Sequence, residues 1–368
     1  MSQLVVLVVF GGRSAEHEIS LVSARFVVAS LDRSRFLPVL VGIDKAGVWR
    51  LLDEPQLPKR ADPRENRVDE SAPRAWLLPT PVPGGRGRLE VEGQEPVPFD
   101  LVFPVLHGPL GEDGAIQGLF ELASVAYVGS GVAASAVGMD KVLQKRVLAH
   151  AGVPVVPFVS FGRHELEAQA DATLAACARL GFPLFVKPAN MGSSLGVSRV
   201  ADAGGLRAAV DHALAYDTTV LVEPGVRDCR EVEVSVLGNE VAEASVAGEI
   251  VVTHRDGFYS YEAKYLDAAG SRLSVPAELA AEHAERVRRM ALAAYAALGC
   301  AGLARVDFFV SGGDVYVNEL NTMPGFTAIS MYPRLWAASG MDGTMLVTRL
   351  IELGLERHAA RAKLQTSR

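Results

Sequence analysis

The 368-residue sequence contains only three cysteines, Cys177, Cys229 and Cys300. They are far apart and form no metal-type pair, so neither a disulfide framework nor a zinc site is expected, and a reducing cytoplasm suits them. Bases are outnumbered by acids, 36 to 43, for a formal charge of −7. Such a chain has no global footprint for nucleic acid or a membrane surface, although a local basic pocket is compatible with it. Long apolar runs are missing as well. The run Leu4 to Phe10 stops at Gly11-Gly12, far short of the roughly 20 residues of a membrane span, and no basic segment precedes it. The expectation is a buried parallel strand in a cytoplasmic protein. Internal repeats, a GxGxxG fingerprint and a Walker A loop are also absent.

What is there is material for a core. Hydrophobic residues make up 49% and charged residues 21% of the chain, which fits a folded protein of two or three domains. Short apolar runs alternate with helical patterns in the first third. Ile19, Val22, Phe26 and Ala29 recur at helical spacing, and Phe36 to Ile43 and Leu101 to Leu106 read as strands. That alternation predicts an α/β fold with a doubly wound parallel sheet, whose ligands collect where the strands end, at Gly11-Gly12 and His107-Gly108. From about Asp53 to Pro98 the composition shifts to Pro, Arg, Glu and Gly, which predicts a surface excursion with at most a short hairpin at Arg88 to Val91.

Further on, Asp140 reads as the N-cap of a helix carrying Leu143, Val147, Leu148 and Ala151, closed by Gly152 and Pro154. Strands follow at Phe182 to Lys187, Gly196 to Val200 and Val220 to Glu223. A long helix is predicted from about Glu278 to Leu298, ended by Gly299, and then two strands from Leu303 to Val310 and Val315 to Asn321.

Several segments carry chemistry. In Lys187-Pro188-Ala189-Asn190-Met191-Gly192-Ser193-Ser194-Leu195-Gly196 a lysine ends a strand and a loop of small residues follows. Backbone amides without bulky side chains can close over phosphates while the lysine supplies a point charge; a flexible hairpin with a solvated lysine is the plain alternative. Period two places Arg305 with Asp307 on one strand face, and Glu319 with Asn321 on one face of the next. A three-residue connection through Gly312-Gly313-Asp314 would set Asp307 opposite Glu319 and Arg305 opposite Asn321, gathering the oxygen ligands that Mg²⁺ prefers. A two- or four-residue connection would turn them to opposite faces. Gly325, in Asn321-Thr322-Met323-Pro324-Gly325, frees a backbone amide for an oxyanion, with Arg305 nearby. Glu16 at a helix start complements the dipole unless it binds a ligand, and His107 serves equally as a buried, hydrogen-bonded ring.

In order along the chain, GGRSAEHEISL, LHGPLGEDG, YVGSGVAASAVGMDK, FVKPANMGSSLGV, REVEVSVLGN, YEAKY, ARVDFF and NELNTMPGFT resemble the D-alanine–D-alanine ligases of bacterial cell-wall synthesis, members of the ATP-grasp superfamily. The resemblance implies three α/β domains, at 1–129, 130–223 and 224–368, with ATP between the last two. It implies a stepwise reaction in which one D-alanine carboxylate takes the γ-phosphoryl group of ATP and the amine of a second D-alanine displaces phosphate from the resulting acyl phosphate. Lys141 and Lys187 resemble the lysines on the ATP phosphates, and Gly192, Ser193, Ser194 and Leu195 the loop that covers them. Asp307, Glu319 and Asn321 resemble the ligands of two Mg²⁺ ions, for which Mn²⁺ can substitute. Glu223 and the Val226 backbone resemble the adenine contacts and Glu231 the ribose contact. Arg305 and the Gly325 amide resemble the oxyanion pair. Glu16, with His107 beside it, resembles the carboxylate that holds the first ammonium, and Ser330 with the Met331 amide the group that holds the second carboxylate.

Within YEAKY, Lys264 resembles a contact shared by nucleotide and substrate. Tyr265 resembles the tyrosine that hydrogen-bonds toward Glu16 and Ser193 and closes the site in the dipeptide-forming members; it speaks for D-alanine, rather than D-lactate or D-serine, as second substrate. The resemblance also implies a homodimer, with no nucleic-acid or membrane partner. Pro224 departs from the pattern, because proline has no N–H to offer adenine. Two other readings compete. An NAD-dependent oxidoreductase would need the missing GxGxxG, and a non-catalytic nucleotide-binding regulator would have no use for the full ligand set that is present.

Overall fold

The computed structural model describes residues 3–57, 65–82, 86–252 and 271–365. The strand Leu4–Gly11 runs parallel to both of its neighbours, Phe36–Ile43 and Leu101–Val105, and Trp49–Leu52 adds an antiparallel edge. Its side chains alternate between two covered faces. Val6, Val8 and Phe10 meet Leu21, Ala24 and Val27 of the helix His17–Ser30, while Leu7 and Val9 belong to a second cluster with Leu89, Phe99 and Phe120. The helix Gly343–Arg361 returns to this sheet and sets Leu346, Val347, Leu350 and Ile351 into the first of those clusters.

Two expectations are corrected here. The segment 53–98 is in good part core. Ala75–Leu77, Gly87–Val91 and Val97–Phe99 form an antiparallel three-stranded sheet whose inward residues pack with Leu7 and Val9. Gly87–Val91 falls at the expected hairpin, whereas Ala75–Leu77 and Val97–Phe99 are so short that their alternation is lost among the surrounding Pro, Arg and Gly. The helix His17–Ser30 also buries a different face from the one its apolar spacing indicates. Ile19, Val22 and Phe26 are only half-buried and Ala29 is exposed, whereas Ser20, Leu21, Ser23, Ala24, Val27 and Val28 lie inside. The serines are inside because they have partners. Ser20 Oγ accepts the Gly11 N–H at 2.6 Å and donates to the Val105 carbonyl, tying two strand ends to the helix.

In the middle of the chain Asp140 caps the helix Lys141–His150, accepting from the N–H groups of Val142 and Leu143 at 2.9 and 3.0 Å. Leu143 is nevertheless exposed, and Gln144 and Lys145 are buried instead. Gln144 clamps the Leu320 backbone, donating to its carbonyl and accepting its N–H, both at 2.9 Å. An antiparallel sheet follows in the order Ser198–Val200, Leu184–Pro188, Thr219–Pro224, Val159–Gly162.

The fourth sheet is antiparallel, in the order Ser271–Ser274, Ala242–Val252, Arg230–Gly238, Gly302–Ser311, Asp314–Asn321. The helix Ala281–Ala297 covers it with Val287, Ala291, Ala294 and Tyr295, and Gly299 follows at φ +66°. The hairpin at its edge answers the register question. Ser311 pairs with Asp314, so the connection is the two residues Gly312-Gly313. That turn alone would separate Asp307 from Glu319. A register shift between Phe308 and Asp307 absorbs Asn318, and past it Asp307 pairs with Glu319 and Arg305 with Asn321. Among the described residues, no helix is long and apolar enough to cross a membrane.

Candidate active site

The first strand delivers Glu16 just ahead of the helix His17–Ser30, and the Leu101–Val105 strand delivers His107 beside it. Ser14 joins the two, its Oγ accepting the Glu16 N–H at 3.2 Å and donating to the His107 carbonyl at 2.6 Å. The His107 ring is buried, with Nδ1 3.2 Å from the Met323 carbonyl and Nε2 3.1 Å from Ser23 Oγ. A carbonyl only accepts, so Nδ1 carries the proton and Nε2 takes the hydroxyl hydrogen of Ser23. Burial lowers the pKa of this ring, against the raising effect of Glu16. Gly108 packs so closely that a Cβ there would come within 2.9 Å of Glu16 Oε2, and its N–H donates to Glu112 at 2.8 Å. Glu112 is pushed up to about 8, first by burial and then by the charge of Glu16.

The small-residue loop after Leu184–Pro188 reaches this point from the middle sheet. Ser193 Oγ donates to Glu16 Oε1, and a Cβ on Gly192 would stand 2.8 Å from Glu16 Oε2. Ser193 and Ser194 have φ of +52° and +58°, a conformation that L residues adopt at a cost and that is common at functional loops. The loop is pinned at its start, where Asn190 donates through N and Nδ2 to Asp217 at 2.7 and 3.0 Å. Lys141 holds it from beneath. Its Nζ donates to the Met191 carbonyl at 2.7 Å and lies 3.4 Å from Glu319 Oε2.

Lys187 is half-buried and bonds to groups outside the loop. It donates to Glu223 Oε1, with Asn318 Oδ1 at 3.5 Å. Glu223 is also 3.0 Å from Lys145 Nζ. Burial works against a charged Glu223, but Lys145 and Lys187 outweigh it and hold the carboxyl down at about 2. On the hairpin, Arg305 makes a bidentate pair with Asp307, both contacts at 2.7 Å, and meets Glu233 at 2.9 Å. Burial opposes the guanidinium charge, yet Asp307 and Glu233 keep its pKa well above the usual arginine range. Asn321 Nδ2 donates to Asp307 at 3.1 Å.

Among the described residues no three or more His, Cys, Asp or Glu side chains gather as a metal would need. Asp307 and Glu319, paired across the strands, with Asn321 beside them, offer two carboxylates and an amide. That oxygen set fits Mg²⁺, which takes few protein ligands and fills its octahedron with phosphate oxygens and water.

The remaining expected residues lie around these. Ser330 begins the helix Met331–Ala338, and its Oγ accepts the Thr327 N–H at 3.0 Å and would be 3.1 Å from a Cβ on Gly325. The Met331 side chain is buried with Ile250 and Leu335, so only its backbone is available to a ligand. Leu195 N–H folds back onto the Gly192 carbonyl at 3.1 Å. Val226 and Glu231 are half-buried around the turn between Thr219–Pro224 and Arg230–Gly238, with Glu231 acting on Lys187 through its charge. Lys264 and Tyr265 lie outside the described residues. The sequence reading missed Ser23, Glu112, Lys145, Glu233 and Asn318. Only Glu233 carried a local signal, as a lone acid inside the apolar run Val232 to Val236.

This arrangement, four sheets with two lysines, a glycine–serine loop and a carboxylate-bearing hairpin, is the ATP-grasp fold. Its solved counterparts include the D-alanine–D-alanine ligase of Coxiella burnetii (TM-score 0.84, 35% identity, 99% of this chain and 97% of that one). They also include the VanG D-Ala:D-Ser ligase of Enterococcus faecalis (TM-score 0.83, 33% identity, 96% and 100%). The family model described as D-ala D-ala ligase N-terminus matches residues 5–130, and that described as D-ala D-ala ligase C-terminus matches residues 147–352. The chain is 46% identical to D-alanine–D-alanine ligase A of Salmonella typhimurium over the whole of both proteins. It is 48% identical to the enzyme of that name from Bradyrhizobium diazoefficiens, over 98% of this chain and 97% of the other. The chain belongs to the D-alanine–D-alanine ligase family.

Proposed function

We propose that this protein joins two D-alanine molecules to D-alanyl-D-alanine for peptidoglycan synthesis, consuming ATP and releasing ADP and phosphate. The observation that supports this reading is the bond from Ser193 to Glu16, which brings the carboxylate we assign to the ammonium against the loop we assign to the phosphates. A free carboxylate is a poor acyl donor, so activation precedes amide formation. The first D-alanine, its ammonium on Glu16 with His107 behind, attacks the γ-phosphorus with a carboxylate oxygen, and ADP departs. The second D-alanine, its carboxylate at Ser330 and the Met331 amide, gives an ammonium proton to water and attacks the acyl carbon as the free amine, and the extra proton on its nitrogen departs with the phosphate. Phosphate then leaves from the tetrahedral intermediate. Arg305 and the Gly325 amide face the negative oxygen that develops in both steps.

Lys141 and Lys187 neutralise the phosphates beneath the loop Gly192 to Leu195, and Glu223, Val226 and Glu231 receive the nucleoside. Asp307, Glu319 and Asn321 would hold two Mg²⁺ ions, which when bound draw charge from the phosphate oxygens. Lys264 and Tyr265 complete the closed site. The domains are taken as 1–129, 130–223 and 224–368, with the last helix serving the first domain's core. A cytoplasmic homodimer is the accompanying expectation, and light scattering checks the dimer. The reading as a whole is tested by ADP release with ATP, Mg²⁺ and D-alanine. One ADP per D-alanyl-D-alanine is the expected result, and D-lactate or D-serine should add little. A folded, ATP-binding protein that releases no ADP would defeat it, and preferential incorporation of D-serine would move the chain to a different second substrate.

A further inference from the structure

Lys145 follows Lys141 by one helical turn and is enclosed, its side chain 2% exposed and that of Glu223 3%. An ammonium is seldom taken out of water without a full set of partners. Here Nζ stands 3.0 Å from Glu223 Oε2, but the pair is not aligned as a hydrogen bond, and among the described residues neither atom has another hydrogen-bonding partner. The second oxygen of Glu223 takes Lys187. One buried carboxylate therefore serves two ammonium groups from different elements. Of the two, Lys187 is the one that also reaches the hairpin, through Asn318.

We propose that Lys145 is a positioning residue for choice of the nucleotide base: it keeps Glu223 an ionised acceptor, aimed at the base, once Lys187 has turned to the phosphates. This rests on the ATP-dependent reading above. Adenine presents an amino donor at its 6-position, whereas guanine and hypoxanthine present a carbonyl acceptor there. A carboxylate only accepts, so it takes the 6-amino group and repels the 6-oxo group. Without Lys145, and with Lys187 drawn to phosphate, burial favours a protonated Glu223. A carboxylic acid donates as well as accepts, and the distinction between the two classes of purine fades. Lys145 thus governs selectivity without touching the base.

The test compares wild type, Lys145→Met and Lys145→Arg for binding of ATP and ITP by calorimetry, and for turnover of both with D-alanine and Mg²⁺. In Lys145→Met the Kd for ATP should rise on the order of tenfold and the preference for ATP over ITP should fall by a similar factor. KM for D-alanine should stay in place, and Lys145→Arg should recover most of the preference. A Met variant that keeps the wild-type preference, even with a lower Tm, would show a packing role only and overturn the proposal. If that variant does not fold, Glu223→Gln supplies the second route. A glutamine amide donates and accepts, so the preference should collapse in this variant; its survival would count equally against the proposal. Absence of ADP from wild type with D-alanine would remove the ligase reading and leave the binding preference still measurable.

Discussion

Two carboxylates at opposite ends of the site, Glu223 buried and Glu112 half-buried, are kept in opposite states. Glu223 sits between Lys145 and Lys187 and is held down at about 2, while Glu112 sits near Glu16 and is pushed up to about 8. Burial raises both pKa values, so the difference comes from the company each keeps. One end of the cleft neutralises its carboxylate with cations and the other with a proton. The cation-rich end suits a polyphosphate. The end crowded with acids suits an incoming ammonium group, whose charge would take the place of the proton.

The sharpest break of this contrast is Glu319→Gln, at the junction of the two ends, where Lys141 and the hairpin meet. We expect kcat to fall on the order of a thousandfold with the thermal midpoint little changed; wild-type turnover would defeat the metal-ligand role. Glu16→Gln should act at the acidic end alone, raising KM for D-alanine roughly tenfold to a hundredfold while KM for ATP moves little. Equal effects on both substrates, in initial-rate kinetics, would mean that the two ends are not separate. Tyr265→Phe should admit D-lactate as second substrate at a rate several-fold above wild type, read by product chromatography, if the tyrosine's hydroxyl bonds toward Glu16 and Ser193 close the site.

Glu112 sharpens the contrast through pH. It is pushed up to about 8 in the folded protein against an ordinary glutamate value of 4.5, so between those values the folded state keeps a proton that the unfolded chain has lost. Its contribution to stability therefore declines as pH rises through that window. Glu112→Gln should remove the decline, so the variant's Tm gains on wild type between about pH 5 and pH 8.5. Parallel Tm curves would mean that Glu112 is ionised throughout. The smallest effect is expected from Asp140→Ala, which loses the cap of the Lys141 helix and about 1 kcal/mol of stability in a denaturant titration.

The sequence made these ends unequally legible. The lysines, the loop and the hairpin acids stand in motifs long enough to identify, and the first strands follow from their unbroken apolar runs. The pairing of Asp307 with Glu319 was open because it depends on turn length plus register. The two-residue turn would have separated them, and the irregularity at Asn318 has no signature in the residues themselves. Lys145 was hidden for a different reason: hydrophobicity predicts that Leu143 goes inside and a lysine outside, whereas the partner Glu223 lies 78 positions away in sequence. The same bias misplaced the buried face of the helix His17–Ser30, where Ser20 and Ser23 are drawn inside by hydrogen bonds to strand ends and His107. Of the 53–98 strands only Gly87–Val91 was legible, at the expected hairpin Arg88 to Val91, because the three residues of each of the other two are too few to show a period.

The helix Gly343–Arg361 has a consequence for how the molecule is made. Leu346, Val347, Leu350 and Ile351 fill one face of a sheet whose central strand is residues 4–11. A ribosome, adding about 5–20 residues per second, delivers those two partners far apart in time. During synthesis the first sheet must wait with Val6, Val8 and Leu31 incompletely covered until more than 300 further residues have emerged. The Glu16 end of the cleft is thus translated well before the helix that completes its core, and its apolar strand face is among the last to be covered.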